Sequence, residues 1–99
     1  MKLMTAGSFG PVIFVHGGAG KVASDLAELR RAGIREAVMN GWQVLSEGGS
    51  AVNAVEQAVR VLEDDPAVNA GRGACLKRDG EIELDASIMD GRGLAAGAI

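Results

Sequence analysis

Leu62–Gly91, LEDDPAVNAGRGACLKRDGEIELDASIMDG, carries more local instruction than packing alone requires. It joins a helix end, a turn at Asp65-Pro66, a glycine-dense bend at Asn69–Gly73, a turn signal at Arg78-Asp79-Gly80 and a second bend at Asp90-Gly91. After Asp65-Pro66 the apolar rhythm changes to period two. Ala74 and Leu76, then Ile82, Leu84 and Ala86, alternate with polar residues around Arg78-Asp79-Gly80, which predicts two antiparallel strands. The small-residue apolar run Gly93–Ile99 reads as a third strand. No stop signal precedes Ile99, and natural domains avoid an apolar strand left at a sheet edge, so the chain is expected to be truncated or to pair with another polypeptide. The bends between these elements make the stretch a candidate site wall.

Upstream of this stretch the period is helical. Ser50 is placed to cap a helix whose Val52, Val55, Val59 and Leu62 form a narrow stripe, with Ala51, Ala54 and Ala58 alongside and Glu56, Arg60, Glu63 and Asp64 on the solvated side. Gly48-Gly49 ends a preceding helix, which Asp25-Leu-Ala-Glu28 opens in the manner of a capping box. That helix is expected to bury Leu26, Leu29, Ile34, Ala37, Val38, Trp42 and Leu45, with Trp42 as core filler. Gly33 and Gly41 fall near the same face and permit close packing. Two helices joined by a Gly-Gly turn make a helical hairpin that lies as a layer on a sheet.

Pro11-Val-Ile-Phe-Val-His16 is an apolar, β-branched run, the pattern of a strand buried on both faces. It stops at Gly17-Gly18-Ala19-Gly20, which serves either as a tight turn or as a place where a ligand or second backbone comes close. Gly18–Ala23 matches a GxGxxA dinucleotide fingerprint, but two helices follow in succession where a second parallel strand and its acidic residue are required. Lys21 is followed by Val22 rather than Ser or Thr, so a phosphate-binding P-loop fails as well. The domain division is a flexible leader at 1–10 and one partial domain at 11–99. The element order, one strand, two helices, then antiparallel strands, predicts an α+β fold.

Composition narrows the function classes. The chain has 99 residues, 47% of them apolar, yet only two Phe, one Trp and no Tyr, so its core is built from Ala, Val, Leu and Ile. The net charge of −3 comes from interspersed acids and bases, which excludes a basic nucleic-acid face. Val12–Val15 is too short to span a membrane, and no signal-peptide core is present in the amino-terminal residues. Cys75 is the single cysteine, so no intrachain disulfide forms; a reducing, cytoplasmic setting is expected. Asp85 and Asp90 are a candidate carboxylate pair for metal or acid–base chemistry, but both flank an apolar strand end and the second opens an Asp-Gly turn, which favours a structural role.

Five motifs in order carry a resemblance: His16-Gly-Gly-Ala-Gly20, Glu47-Gly-Gly-Ser-Ala-Val-Asn-Ala-Val55, Leu62-Glu-Asp-Asp-Pro66, Asn69-Ala-Gly-Arg-Gly73 and Asp85-Ala-Ser-Ile-Met-Asp-Gly91. Together they resemble the amino-terminal part of the α subunit in the plant-type L-asparaginase and isoaspartyl peptidase family. The resemblance implies an N-terminal nucleophile hydrolase with an αββα sandwich, a helical hairpin packed on a mainly antiparallel sheet. It also implies a precursor that cleaves itself into α and β subunits, assembled as (αβ)2. The substrate would be L-asparagine or a β-aspartyl peptide. A threonine aspartase shares the Asn69–Gly73 and Asp85–Gly91 motifs and is the alternative enzyme. An inactive interaction module is the alternative outside enzymes.

The family's nucleophile is a threonine whose own α-amino group acts as base. The single threonine here, Thr5, lies outside every motif, so the chain alone is expected to be inactive and to need the missing carboxy-terminal part or β subunit. What the resemblance assigns to this chain is a supporting shell. Asn69 reaches the surroundings of the catalytic threonine, or else serves only as a turn cap. His16, Gly17, Gly18, Ala19 and Gly20 form the glycine loop associated with autoprocessing, although His16 equally fits a hydrogen-bonded strand-end histidine. The backbone carbonyls of Leu62, Glu63, Asp65, Val68, Ala70 and Arg72 would surround a structural sodium ion, with no organic cofactor. Val68 and Arg72 depart from the family's common residues there, which matters little where only carbonyls bind.

Overall fold

The computed structural model describes residues 10–99, so the expected leader lies outside the described residues except for Gly10. Helix α1 spans Ser24–Ser46 and helix α2 spans Ala51–Asp64. A single 3₁₀ turn follows at Gly71–Gly73, then strands β1, Ser87–Asp90, and β2, Ala95–Ala98. The result is a small α+β arrangement: a helical hairpin and a two-stranded antiparallel sheet.

The helix boundaries follow local chemistry. The Ser50 side chain accepts a hydrogen bond from the Asn53 amide at 3.1 Å, which satisfies one of the free N–H groups that open α2. Gly48 takes φ +83°, the left-handed conformation that turns the chain at the end of α1 without a Cβ penalty. At the start of α1 the expected capping box does not form. The helix begins at Ser24, Ala23 holds the cap position without a side-chain bond, and Asp25 lies inside the first turn, where its charge still favours the helix N-terminus.

The two helices meet through their smallest residues. α1 buries Gly33, Ala37 and Gly41, and α2 buries Ala54, Ala58 and Leu62. A Cβ on Gly41 would collide with the Ile13 side chain and lie 3.0 Å from the Ala54 carbonyl oxygen and 3.4 Å from the Ala58 Cβ, so the helices come close there beneath Ile13. This contact keeps Ala37 and Leu62 of the expected stripes and turns other members outward. Leu29 and Trp42 are left 57% and 42% exposed, and Val55 and Val59 also face outward. Backbone approach at Gly and Ala brings many atoms into contact at once, and it rotates the larger apolar side chains to the flanks.

Ile13 and Val15 pack against the core of Ala37, Ala58, Leu62 and Val68, whereas Val12 and Phe14 point away and are exposed. The segment expected as a strand buried on both faces is therefore covered on one face only, and it joins no sheet among the described residues. The expected strand pair around residue 79 is also corrected. Its turn forms, with Lys77 N–H donating to Glu81 O at 2.8 Å and Gly80 N–H to Lys77 O at 3.0 Å. The flanking Leu76, Ile82 and Leu84 stay exposed and unpaired. The ladder forms one turn later, pairing Ser87 with Ala98, Ile88 with Gly97, Met89 with Ala96 and Asp90 with Ala95. Ala86 and Ile99 extend it with reciprocal bonds of 3.2 and 2.9 Å. Asp90 accepts from the Arg92 amide at 3.0 Å, and this local bond starts the reversal that sets the register.

Candidate functional site

The Asp65–Gly73 loop is built from the end of α2 outward. Asp65 caps the helix by donating to Leu62 O at 3.2 Å, and its Oδ1 accepts from the Ala67 amide at 2.9 Å, an Asx turn across Pro66. Val68 N–H then donates to Asp65 O at 3.2 Å, Ala70 N–H to Val68 O at 2.8 Å, and Gly73 N–H to Ala70 O at 2.9 Å. Val68 is only 4% exposed and plugs the loop into the helical core. Gly33 of α1 provides the seat: a Cβ there would run into the Asp65 carboxylate and lie 3.8 Å from the Val68 side chain.

The loop curls around its own glycines. A Cβ on Gly73 would collide with Val68 O and lie 2.7 Å from Pro66 O and 2.9 Å from Asp65 O, so three carbonyls turn toward one point beside Gly73 Cα. Gly71, at φ +46°, faces the backbone carbonyl and the carboxylate Oε2 of Glu63. Of the carbonyls assigned by resemblance, those of Leu62, Asp65, Val68 and Ala70 each accept an amide bond, and Glu63 O turns inward at Gly71. Arg72 lies exposed within the 3₁₀ turn. Among the described residues no three His, Cys, Asp or Glu side chains cluster as ligands, so the donors at this loop are its backbone oxygens and the Glu63 carboxylate.

Asn69 ties the loop to the segment beyond the 3₁₀ turn: its Oδ1 accepts from the Cys75 amide at 2.8 Å. With one lone pair of the carbonyl oxygen engaged, the Nδ2 amino group is the side chain's donor for a further partner. Cys75 is exposed and lies outside any strand. The glycine loop lies on the same helix. Gly17 abuts Ile34, where a Cβ would lie 3.0 Å from Cγ1, so both bends rest on consecutive residues of α1. His16 is exposed, and its Nδ1 accepts from the Gly18 amide at 3.2 Å, a geometry that places the ring proton on Nε2. Gly18 takes φ +111°, and Ala19 and Gly20 are open to solvent.

Asp90 is committed to its turn. The Arg92 backbone N–H, reinforced by the Arg92 guanidinium, holds its carboxyl below the ordinary carboxylate range. Two contributors escape sequence reasoning. Pro66 O joins the inward carbonyls, and Arg30 of α1 donates from Nε to Ala67 O at 2.7 Å. The only trace of Arg30 in the sequence is its place one turn before Gly33.

A helical hairpin presenting a glycine bend and a carbonyl-lined bend defines a small α+β scaffold. The family described as asparaginase matches residues 9–99, and the chain belongs to that family. Isoaspartyl peptidase/L-asparaginase of Xenopus laevis is 56% identical over 89 residues, covering 90% of this chain and 29% of the relative. The proteins of the same name from Bos taurus and Homo sapiens are 54% and 53% identical over 90 residues, again across 90% of this chain and 29% of theirs. The chain thus spans under a third of the length of these relatives, and the motif-based resemblance is borne out at the level of the family. Among the described residues no helix is long and apolar enough to cross a membrane.

Proposed function

We propose that the chain is part of an amidohydrolase that cleaves the side-chain amide of L-asparagine or the isoaspartyl bond of β-aspartyl peptides. The observation that carries this reading is the 56% identity, over 90% of the chain, to a relative named isoaspartyl peptidase/L-asparaginase. In the proposed reaction a threonine hydroxyl, contributed from outside this chain and freed by self-cleavage, attacks the amide carbon. Its α-amino group takes the hydroxyl proton and returns it to the leaving nitrogen; water then hydrolyses the aspartyl ester. The expected frame is an αββα sandwich completed by a β subunit and paired as (αβ)2. The one-sided cover of this segment supports that reading: Ile13 and Val15 pack on the core while Val12 and Phe14 leave an apolar second face to fill.

Within this frame Asn69 supplies a donor beside the reacting centre, since its oxygen already holds the Cys75 amide. The glycine loop at His16–Gly20 takes part in autoprocessing. The Asp65–Gly73 loop and the end of α2 would hold a structural sodium ion through the backbone carbonyls of Leu62, Glu63, Asp65, Val68, Ala70 and Arg72, and the ion would fix the loop's position. The lone Cys75 fits a reducing cytoplasm.

The test joins this chain to the region that follows the matching segment in the Xenopus relative. Self-cleavage is followed by mass and ammonia release from L-asparagine by a coupled assay. Cleavage and turnover are expected from the joined protein and background release from the chain alone. Turnover by the chain alone, lost on His16→Ala or Cys75→Ala, would show that the chemistry has been misplaced. Proteolysis after aspartate without ammonia release would turn the reading to a threonine aspartase.

A further inference from the structure

Among the described residues, the side-chain hydrogen bonds other than one join partners six or fewer residues apart. The exception is Arg30 Nε to Ala67 O, 2.7 Å long across 37 residues and partly buried. It ties α1 to the loop that follows α2. The loop's own closures, at Val68, Ala70 and Gly73, are internal and leave it free to swing away from α1. Against that motion stand the Val68 plug, the Asp65 carboxylate seated at Gly33, and Arg30.

We infer that Arg30 is a positioning residue that latches the Asp65–Gly73 loop onto α1. The chemistry favours this. A guanidinium is charged at every accessible pH and is tethered beside its acceptor, so it meets the Ala67 carbonyl without the entropy cost of capturing a free cation. Ala67 is also held from its other side, its amide by Asp65 Oδ1 at 2.9 Å, so the latch fixes a peptide that is already part of the Asx turn. The sodium arm of this inference rests on the proposed cation role; the latch does not.

The test is hydrogen exchange, read by NMR on the full chain in sodium chloride and in choline chloride at equal ionic strength. The loop amides of Ala67, Val68 and Ala70 are compared with the buried α2 amide of Ala58. The loop of the parent chain is expected to be protected in both salts, because the latch is present in both. Arg30→Met, which keeps the aliphatic stem but has no donor, is expected to lose about tenfold of loop protection in choline chloride, the order of one charge-assisted hydrogen bond, with Ala58 unchanged. Arg30→Lys is expected to recover part of it. If sodium restores protection in Arg30→Met, the latch and the cation role both stand; if it does not, the latch stands and the cation role fails. Unchanged loop protection in Arg30→Met in choline chloride, or equal loss in the loop and in Ala58, would each overturn the inference.

Discussion

Replacing Gly73 by Ala tests the carbonyl-lined bend directly. Gly73 is not among the glycines with positive φ, so alanine meets no conformational penalty there and the cost is steric. The added Cβ would collide with Val68 O and sit 2.7 Å from Pro66 O and 2.9 Å from Asp65 O. These are backbone atoms, which cannot rotate aside as a side-chain end does, so the loop itself must open. Overpacking of this kind costs about 1–3 kcal/mol. Opening also strains the bonds from Val68 N–H to Asp65 O and from Ala70 N–H to Val68 O, each worth about 1 kcal/mol net. A loss of about 2–4 kcal/mol is expected, a large part of a typical domain's stability. The assay is urea unfolding of the chain followed by helical circular dichroism, with Gly93→Ala as control because a Cβ there meets nothing within 4 Å. Gly93→Ala should change stability by under about 0.5 kcal/mol. Equal midpoints for the two variants would refute the claim that the carbonyls converge on Gly73.

Asn69→Asp keeps an acceptor for the Cys75 amide but removes the Nδ2 donor; in the joined protein it should leave Cys75 N–H protected while lowering kcat about a hundredfold or more, and Asn69→Ala should lose both. Retained kcat in Asn69→Asp would confine Asn69 to capping the bend. Ser50→Ala removes the cap of α2 and should cost about 1 kcal/mol in urea unfolding, with Ser50→Asp restoring it. Asp90 has a lowered folded pKa, so its contribution is present above the ordinary carboxylate value of about 4 and fades as pH falls through the lowered one. The Arg92 amide shift should report that loss in an acid titration, and Asp90→Asn should abolish the dependence.

Ser50, Gly48, the Lys77–Glu81 turn and the Asp90–Arg92 turn were legible in the sequence because each is closed by bonds between residues at most four apart. Local chemistry of that kind is nearly complete within a short window of chain. The family was legible for a related reason: its motifs mark the bends themselves. The buried faces were legible only in part: Gly33, Ala37, Gly41 and Leu62 fall where the period puts them, but Leu29, Trp42, Val55 and Val59 satisfy the helical period as well and are left exposed. Only the approach of the second helix selects the small-residue face, where backbones come closest. Strand register was decided in the same way: Leu76 and Ile82 alternate correctly, yet they need a surface to cover them, and the ladder formed where the Asp90 turn brought Ala95–Ala98 back onto Ser87–Asp90. The inward carbonyls and the Arg30 bond to Ala67 belong wholly to the tertiary structure. A backbone oxygen has no sequence signature, and a partner 37 residues away is fixed only by how two helices and a loop pack together.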